Sequence, residues 1–166
     1  PFQAEGSIIT VKGRHYSTLL GQPFTAANHL WGRPVSADTA TYTDNGKPLL
    51  YAGPSNKSPA AAAYATTLQE RAARIRLAHP EKSGQPIPVD MLTESGSGLD
   101  PHISPAAAEF QVERLARATG FTAAEVRRTI AMYTQGRTLG LLGEARVNVL
   151  EVNLALEGLL PNGRVV

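Results

Sequence analysis

The same two residues, a serine followed by a proline, stand before two of the helical patterns in this chain, at Ser58-Pro59 and at Ser104-Pro105. A serine hydroxyl accepts from the orphan amides of a helix start, and proline suits the first helical turn because its missing N–H would have no partner there. A third start is marked differently. Thr122 and Glu125 are spaced as a capping box, and Phe121 and Val126 flank it as a hydrophobic staple.

The patterns behind these signals fix three helices. Ala61, Ala65, Leu68, Ala72 and Ile75 recur on one face of the first, and His79-Pro80 ends it, because the residue before proline is pushed out of helical angles. The second runs from Ser104-Pro105 to about Ala118, with Ala108, Val112 and Leu115 facing inward and Gly120 where a left-handed cap is wanted. Val126, Ile130 and Tyr133 form the buried stripe of the third, which Gly136 closes. Strands are expected at Ser7 to Val11, at Val89 to Thr93 after Pro86-Ile87-Pro88, and over Val147 to Leu156. In that last stretch Leu150, Val152, Leu154 and Leu156 alternate onto one face, although propensity also allows a helix at its end. Residues 13–59 are rich in Gly, Pro, Ser, Thr and Asn but carry Tyr16, Phe24, Trp31, Tyr42 and Tyr51, so they read as an ordered loop rather than a flexible linker. The expectation is an α+β fold: one domain spanning residues 1–166, with about three helices on a small sheet of short strands and a long ordered N-terminal loop region. There is no internal repeat.

A chain of 166 residues with 42% hydrophobic content fits one water-soluble core. Its net charge of +2 comes from interspersed side chains rather than a basic arm or face, which argues against a nucleic-acid partner. Arg71, Arg74 and Arg76, and the pair Arg127 and Arg128, lie in helical stretches and read as solvated faces. With no cysteine, disulfides and thiolate chemistry are excluded. No run reaches the roughly 20 apolar residues of a spanning helix. The start at Pro1, without Met, points to a removed upstream segment.

Catalytic signatures are few. Gly46-Lys47 is followed by Pro48 and lacks the upstream glycine of a phosphate loop, and the Asp-Lys-Thr-Gly-Thr phosphorylation sequence of a P-type pump is absent. Ser95 and Ser97 sit in a Gly/Ser turn that does not fit a nucleophile elbow. Among His15, His29, His79 and His102 no two have the i, i+4 spacing of a metal pair. The segment Asp100-Pro101-His102-Ile103-Ser104-Pro105 admits two readings: Asp100 could orient His102 as a general base, or Asp100 could begin a turn that the prolines lock into the second helix.

Residues Leu99 to Val112, with Asp100-Pro101-His102 at their head, closely resemble the most characteristic segment of the potassium-transporting ATPase C chain family, KdpC. Further matches follow in the family's order: Gln3-Ala4, Gly6-Ser7-Ile8-Ile9, Gly21-Gln22, Trp31-Gly32-Arg33-Pro34, Gly53-Pro54-Ser55-Asn56, Pro88-Val89-Asp90, Gly136-Arg137-Thr138-Leu139-Gly140, Leu142-Gly143-Glu144 and Val147-Asn148-Val149-Leu150. Lys47 to Ala52 departs from the family's Ser/Gly/Asn-rich stretch. The resemblance implies a non-catalytic accessory subunit of an ATP-driven potassium uptake complex. Its partners would be a channel-like potassium-translocating subunit and a P-type catalytic subunit. It would be held to the cell membrane by a single N-terminal helix lying upstream of this sequence, with this domain on the extracytoplasmic side. Trp31, Arg33, Asn56, Asp100 and His102 are the expected subunit contacts, and no cofactor is needed. The alternative is a nucleotide-binding regulator that raises the catalytic subunit's ATP affinity through Gln111, with Arg114 one turn away.

Overall fold

Short local signals decide most of the chain's path, and long-range amide contacts decide the rest. A computed structural model of the chain describes residues 7–44, 47–53, 61–137 and 142–162. The elements are β1 (Ile8–Val11), β2 (Arg14–Ser17), β3 (Ala37–Asp44), β4 (Lys47–Ala52), α1 (Ala62–Ala78), β5 (His102–Ile103), α2 (Pro105–Phe110), α3 (Val112–Thr119), α4 (Ala123–Met132), β6 (Thr134–Gln135), β7 (Arg146–Asn148) and α5 (Val149–Leu156). This is the expected α+β class. β1 pairs with β2 and β3 with β4 as antiparallel hairpins, while β7 lies between β5 and β6 in a three-stranded antiparallel sheet.

The core lies where α2 to α5 close over that small sheet. Leu115 on α3, Val126 on α4, Val147 on β7 and Val152 on α5 are all fully buried. Leu30 and Trp31, from the irregular stretch between the hairpins, join the same cluster. The loop expected over residues 13–59 is therefore in part strand, and its irregular portion, 18–36, feeds the core.

The capping box forms as expected: the Thr122 hydroxyl accepts from the Glu125 amide at 3.2 Å, and the Glu125 carboxylate accepts from the Thr122 amide at 2.7 Å. Ser104 caps α2 by accepting from the Ala107 amide at 3.1 Å, and Gly120 ends α3 at φ 74°. The proposed start at Ser58-Pro59 lies outside the described residues. α1 ends at His79-Pro80 as read, but Ala61 and Ala65 are exposed and only its C-terminal half, through Ile75, reaches the core.

Four expectations are corrected. The second helix is two: it breaks at Gln111, whose amide bonds back three residues to Ala108 while its side chain turns inward. Val89–Met91 is a 3-10 turn rather than a strand, because the Met91 amide bonds back three residues to the Pro88 carbonyl and the Leu92 amide to that of Val89, each at 3.0 Å, and the Thr93 hydroxyl also bonds the Val89 carbonyl at 3.0 Å. The third helix stops at Met132 instead of near Gly136, and β6 follows. Residues 147–156 are strand only as far as Asn148. The Asn148 side chain then accepts from the Glu151 amide at 3.2 Å and starts α5. The alternation misled because seven of the eight α5 residues are buried, so both periods fit equally well.

Two glycines permit close approaches that set the site. A Cβ on Gly98, at φ 71°, would stand 2.5 Å from the Gly53 carbonyl oxygen, and one on Gly21 would stand 2.7 Å from that of Asp100. Gly98 thereby brings the end of β4 against the Asp100 segment, and Gly21 does so for the irregular stretch.

Candidate functional site

Residues 26–31 have no strand or helix to satisfy their backbone, so side chains do it. The Trp31 amide donates to Gln111 Oε1 at 2.8 Å, and Gln111 Nε2 donates to the Trp31 carbonyl at 3.0 Å. One residue earlier, Asn153 Oδ1 accepts from the Leu30 amide at 2.6 Å and Nδ2 donates to the Leu30 carbonyl at 3.0 Å. Two buried amides, one at the α2–α3 break and one on α5, thus act as substitute strand partners for consecutive residues. An unpaired buried backbone group would cost about 1–3 kcal/mol, so both residue types are demanded at these positions.

Arg114 completes the clamp. It is 3% exposed, and its guanidinium lies 4.3 Å from the centre of the Trp31 ring. It donates to the carbonyls of Ala27 and of His29, the latter at 3.0 Å, to Gln111 Oε1 at 2.6 Å and to His79 Nε2 at 2.9 Å. An arginine can only donate, so His79 Nε2 must carry a lone pair, and its proton sits on Nδ1, which bonds the Ile75 carbonyl at 2.7 Å. Burial pushes His79 below its ordinary value; the Ile75 bond opposes this and Arg114 adds to it. Burial likewise pushes Arg114 down to about 10, which leaves it a cation at neutral pH.

Outside this clamp two clefts open on either side of Arg33. One, of about 410 Å³, has Trp31, Ile75 and Met91 for its floor and Arg33, Arg71 and Arg74 around it. The other, of about 420 Å³, gathers Arg33, Asp90, Asp100, His102, Glu144 and Arg146. Arg33 Nη2 donates to the Glu94 carbonyl at 2.8 Å, which pins the side chain between the two. Asp100 Oδ1 takes both the His102 amide, at 3.0 Å, and His102 Nδ1, at 3.2 Å. Burial lowers the His102 pKa in spite of the bond to Asp100, which pulls the other way.

The structure therefore splits the residues singled out from sequence into two groups. Trp31, Gln111 and Arg114 meet in the buried clamp. Arg33, Asp100 and His102 meet at the second cleft, and Asn56 lies outside the described residues. Sequence reasoning missed His79 and Asn153, for which no local pattern existed, and Arg71 and Arg74, which read as solvent-facing.

The family described as "KdpC: K+-transporting ATPase, c chain" matches residues 1–158. This chain belongs to the KdpC family. Its relatives include proteins named "Potassium-transporting ATPase KdpC subunit" in Clostridium botulinum (strain Alaska E43 / Type E3), 52% identical over 162 residues covering 96% of this chain and 81% of the relative, and in Clostridium perfringens (strain ATCC 13124), 52% identical over 160 residues covering 95% and 81%. One of the same name in Geobacter sulfurreducens is 47% identical over 163 residues, covering 97% and 82%. Among the described residues of this KdpC family member, no helix is long and apolar enough to cross a membrane, and no group of three or more His, Asp or Glu side chains is arranged to hold a metal ion.

Proposed function

We propose that this chain is a non-catalytic accessory subunit of an ATP-driven potassium uptake complex, and that it stabilises the assembly of a channel-like and a P-type subunit from the extracytoplasmic side. The names of its relatives support the complex. The observation that carries the role is the clamp: Gln111, Asn153 and Arg114 hold an irregular stretch rigid, so the clefts beside Arg33 exist before any partner arrives. A preformed surface avoids the ordering cost of a loop that must freeze on docking.

The same geometry weighs against the nucleotide reading. Gln111 is fully buried and both ends of its amide are engaged, so contact with a nucleotide would first require breaking its bonds to Trp31. The deciding experiment prepares the transporter with and without this subunit. Without it, we expect poorer recovery of the joined partner subunits and reduced potassium uptake. Unaltered assembly, affinity and rate would overturn the proposal. In titrations of the chain with ATP no saturable heat is expected; tight binding abolished by Gln111→Ala would favour the regulator instead.

A further inference from the structure

The cleft between residues 22–35 and α1 has a chemistry that its neighbour lacks. Three guanidiniums line it, from Arg33, Arg71 and Arg74, against the carboxylate of Glu70 in its wall and that of Glu94, which is paired with Arg71. Arg71 and Arg33 are fixed in place: Arg71 Nη1 donates to the Leu92 carbonyl at 2.8 Å and its Nη2 pairs with Glu94 at 2.5 Å, while Arg33 Nη2 holds the Glu94 carbonyl. Neither is used up. Arg33 Nε is buried with no hydrogen-bond partner among the described residues. Arg74 is exposed, lies 5.4 Å over the Trp31 ring and has no carboxylate within ion-pair range among the described residues. Beneath these charges the floor is apolar, formed by Trp31, Ile75 and Met91, each buried.

We infer that this cleft is the socket for an acidic side chain, Asp or Glu, presented by a loop of a partner subunit with an apolar neighbour beside it. The inference rests on the accessory-subunit reading and names the chemistry of the contact. Charge complementarity carries it: a carboxylate entering the cleft meets donors already oriented by bonds to the Leu92–Glu94 backbone, and arginine forks match carboxylate oxygens two at a time. The apolar floor then buries the neighbouring side chain, and arginine and tryptophan are the residue types that dominate binding where they are fixed at the centre of a contact. A volume of about 410 Å³ accommodates one or two side chains and not a folded element.

The test uses the assembled complex. Arg74→Glu reverses an exposed charge that has no carboxylate partner among the described residues, so folding should be unaffected, which an unchanged far-ultraviolet circular dichroism spectrum and an unchanged urea midpoint would verify. Retention of the variant in the complex should fall by about tenfold or more and become less sensitive to salt. Arg76→Glu, an equal charge change elsewhere on α1, should leave retention unaltered. In parallel, Thr67→Cys gives this cysteine-free subunit a single thiol on the cleft, to which a thiol-attached photo-crosslinker can be fixed. The crosslinked partner peptide should contain an Asp or Glu. If Arg74→Glu is retained as well as Arg76→Glu, or the peptide carries no acidic residue, the socket is refuted. In either case the accessory role stands as long as loss of the whole subunit still impairs assembly.

Discussion

A single glutamine side chain stands in for a β-strand in this protein. Gln111 supplies one acceptor and one donor to the backbone of Trp31, and its oxygen also accepts from Arg114. Gln111→Leu keeps the volume and removes these three bonds together with the one from Nε2 to the Ala107 carbonyl, leaving two buried backbone groups of Trp31 and a buried cation short of partners. At about 1–3 kcal/mol for each group left unsatisfied, a loss of about 3 kcal/mol in unfolding free energy is expected. Trp31 is the only tryptophan in the sequence, so its emission reports both the urea transition and the local environment. A red shift at zero urea should accompany the loss. Asn153→Leu should cost a similar amount by freeing Leu30, and the double variant should cost less than the sum, because both amides restrain the same stretch. A Gln111→Leu penalty below about 0.5 kcal/mol would show that the loop is held by apolar packing alone.

At the scale of elements, two helix starts separate local capping from tertiary tethering. Thr122 caps α4 at an exposed position, and Thr122→Ala should cost about 1 kcal/mol, the ordinary value of a lost cap. Asn148 caps α5 and also donates from Nδ2 to the Thr18 carbonyl at 3.1 Å, while its own amide bonds the Tyr133 carbonyl. Asn148→Ala should therefore cost about 1–2 kcal/mol more than Thr122→Ala; equal penalties in urea titrations would mean that the bond to Thr18 contributes nothing. The pair also shows what could be read in advance. The Thr122 box was legible because all its atoms lie within four residues, as was the Asp100–His102 contact within three. α5 was not legible, since a helix buried on every side erases its own periodicity. The break at Gln111 was hidden for another reason: its cause, Trp31, is 80 positions away in sequence. The same separation kept the clamp out of sight, so Gln111 and Arg114 could be picked out only by family resemblance and without the role the fold gives them.

For the molecule as a whole, the clamp makes stability depend on pH. His79 is locked as the neutral Nδ1–H tautomer, and a second proton on Nε2 would point at Arg114. Its pKa in the folded chain is accordingly below the value of about 6.5 it regains on unfolding. A group depressed in this way contributes its full stability above the unfolded value. The contribution is lost as pH falls toward the folded value, because over that interval the unfolded chain binds the extra proton. The slope reaches at most about 1.4 kcal/mol per pH unit for one histidine. His102, also depressed by burial, adds to it with the same sign. Glu151 acts oppositely: burial raises its carboxyl, so its contribution is present in acid and is lost as pH rises through the raised value. The raw pH curve therefore mixes signs, and the informative quantity is the difference made by His79→Gln. That side chain can accept from Arg114 without titrating, but it gives up the ring N–H bond to the Ile75 carbonyl, which keeps only the backbone amide of residue 79 as donor. The variant should be less stable than wild type at about pH 7.5 and should lose less between there and about pH 5.5, with Arg114, Glu81 and Arg117 around the site unchanged. If both proteins lose the same free energy over that interval in urea titrations, His79 does not govern the acid sensitivity of the fold.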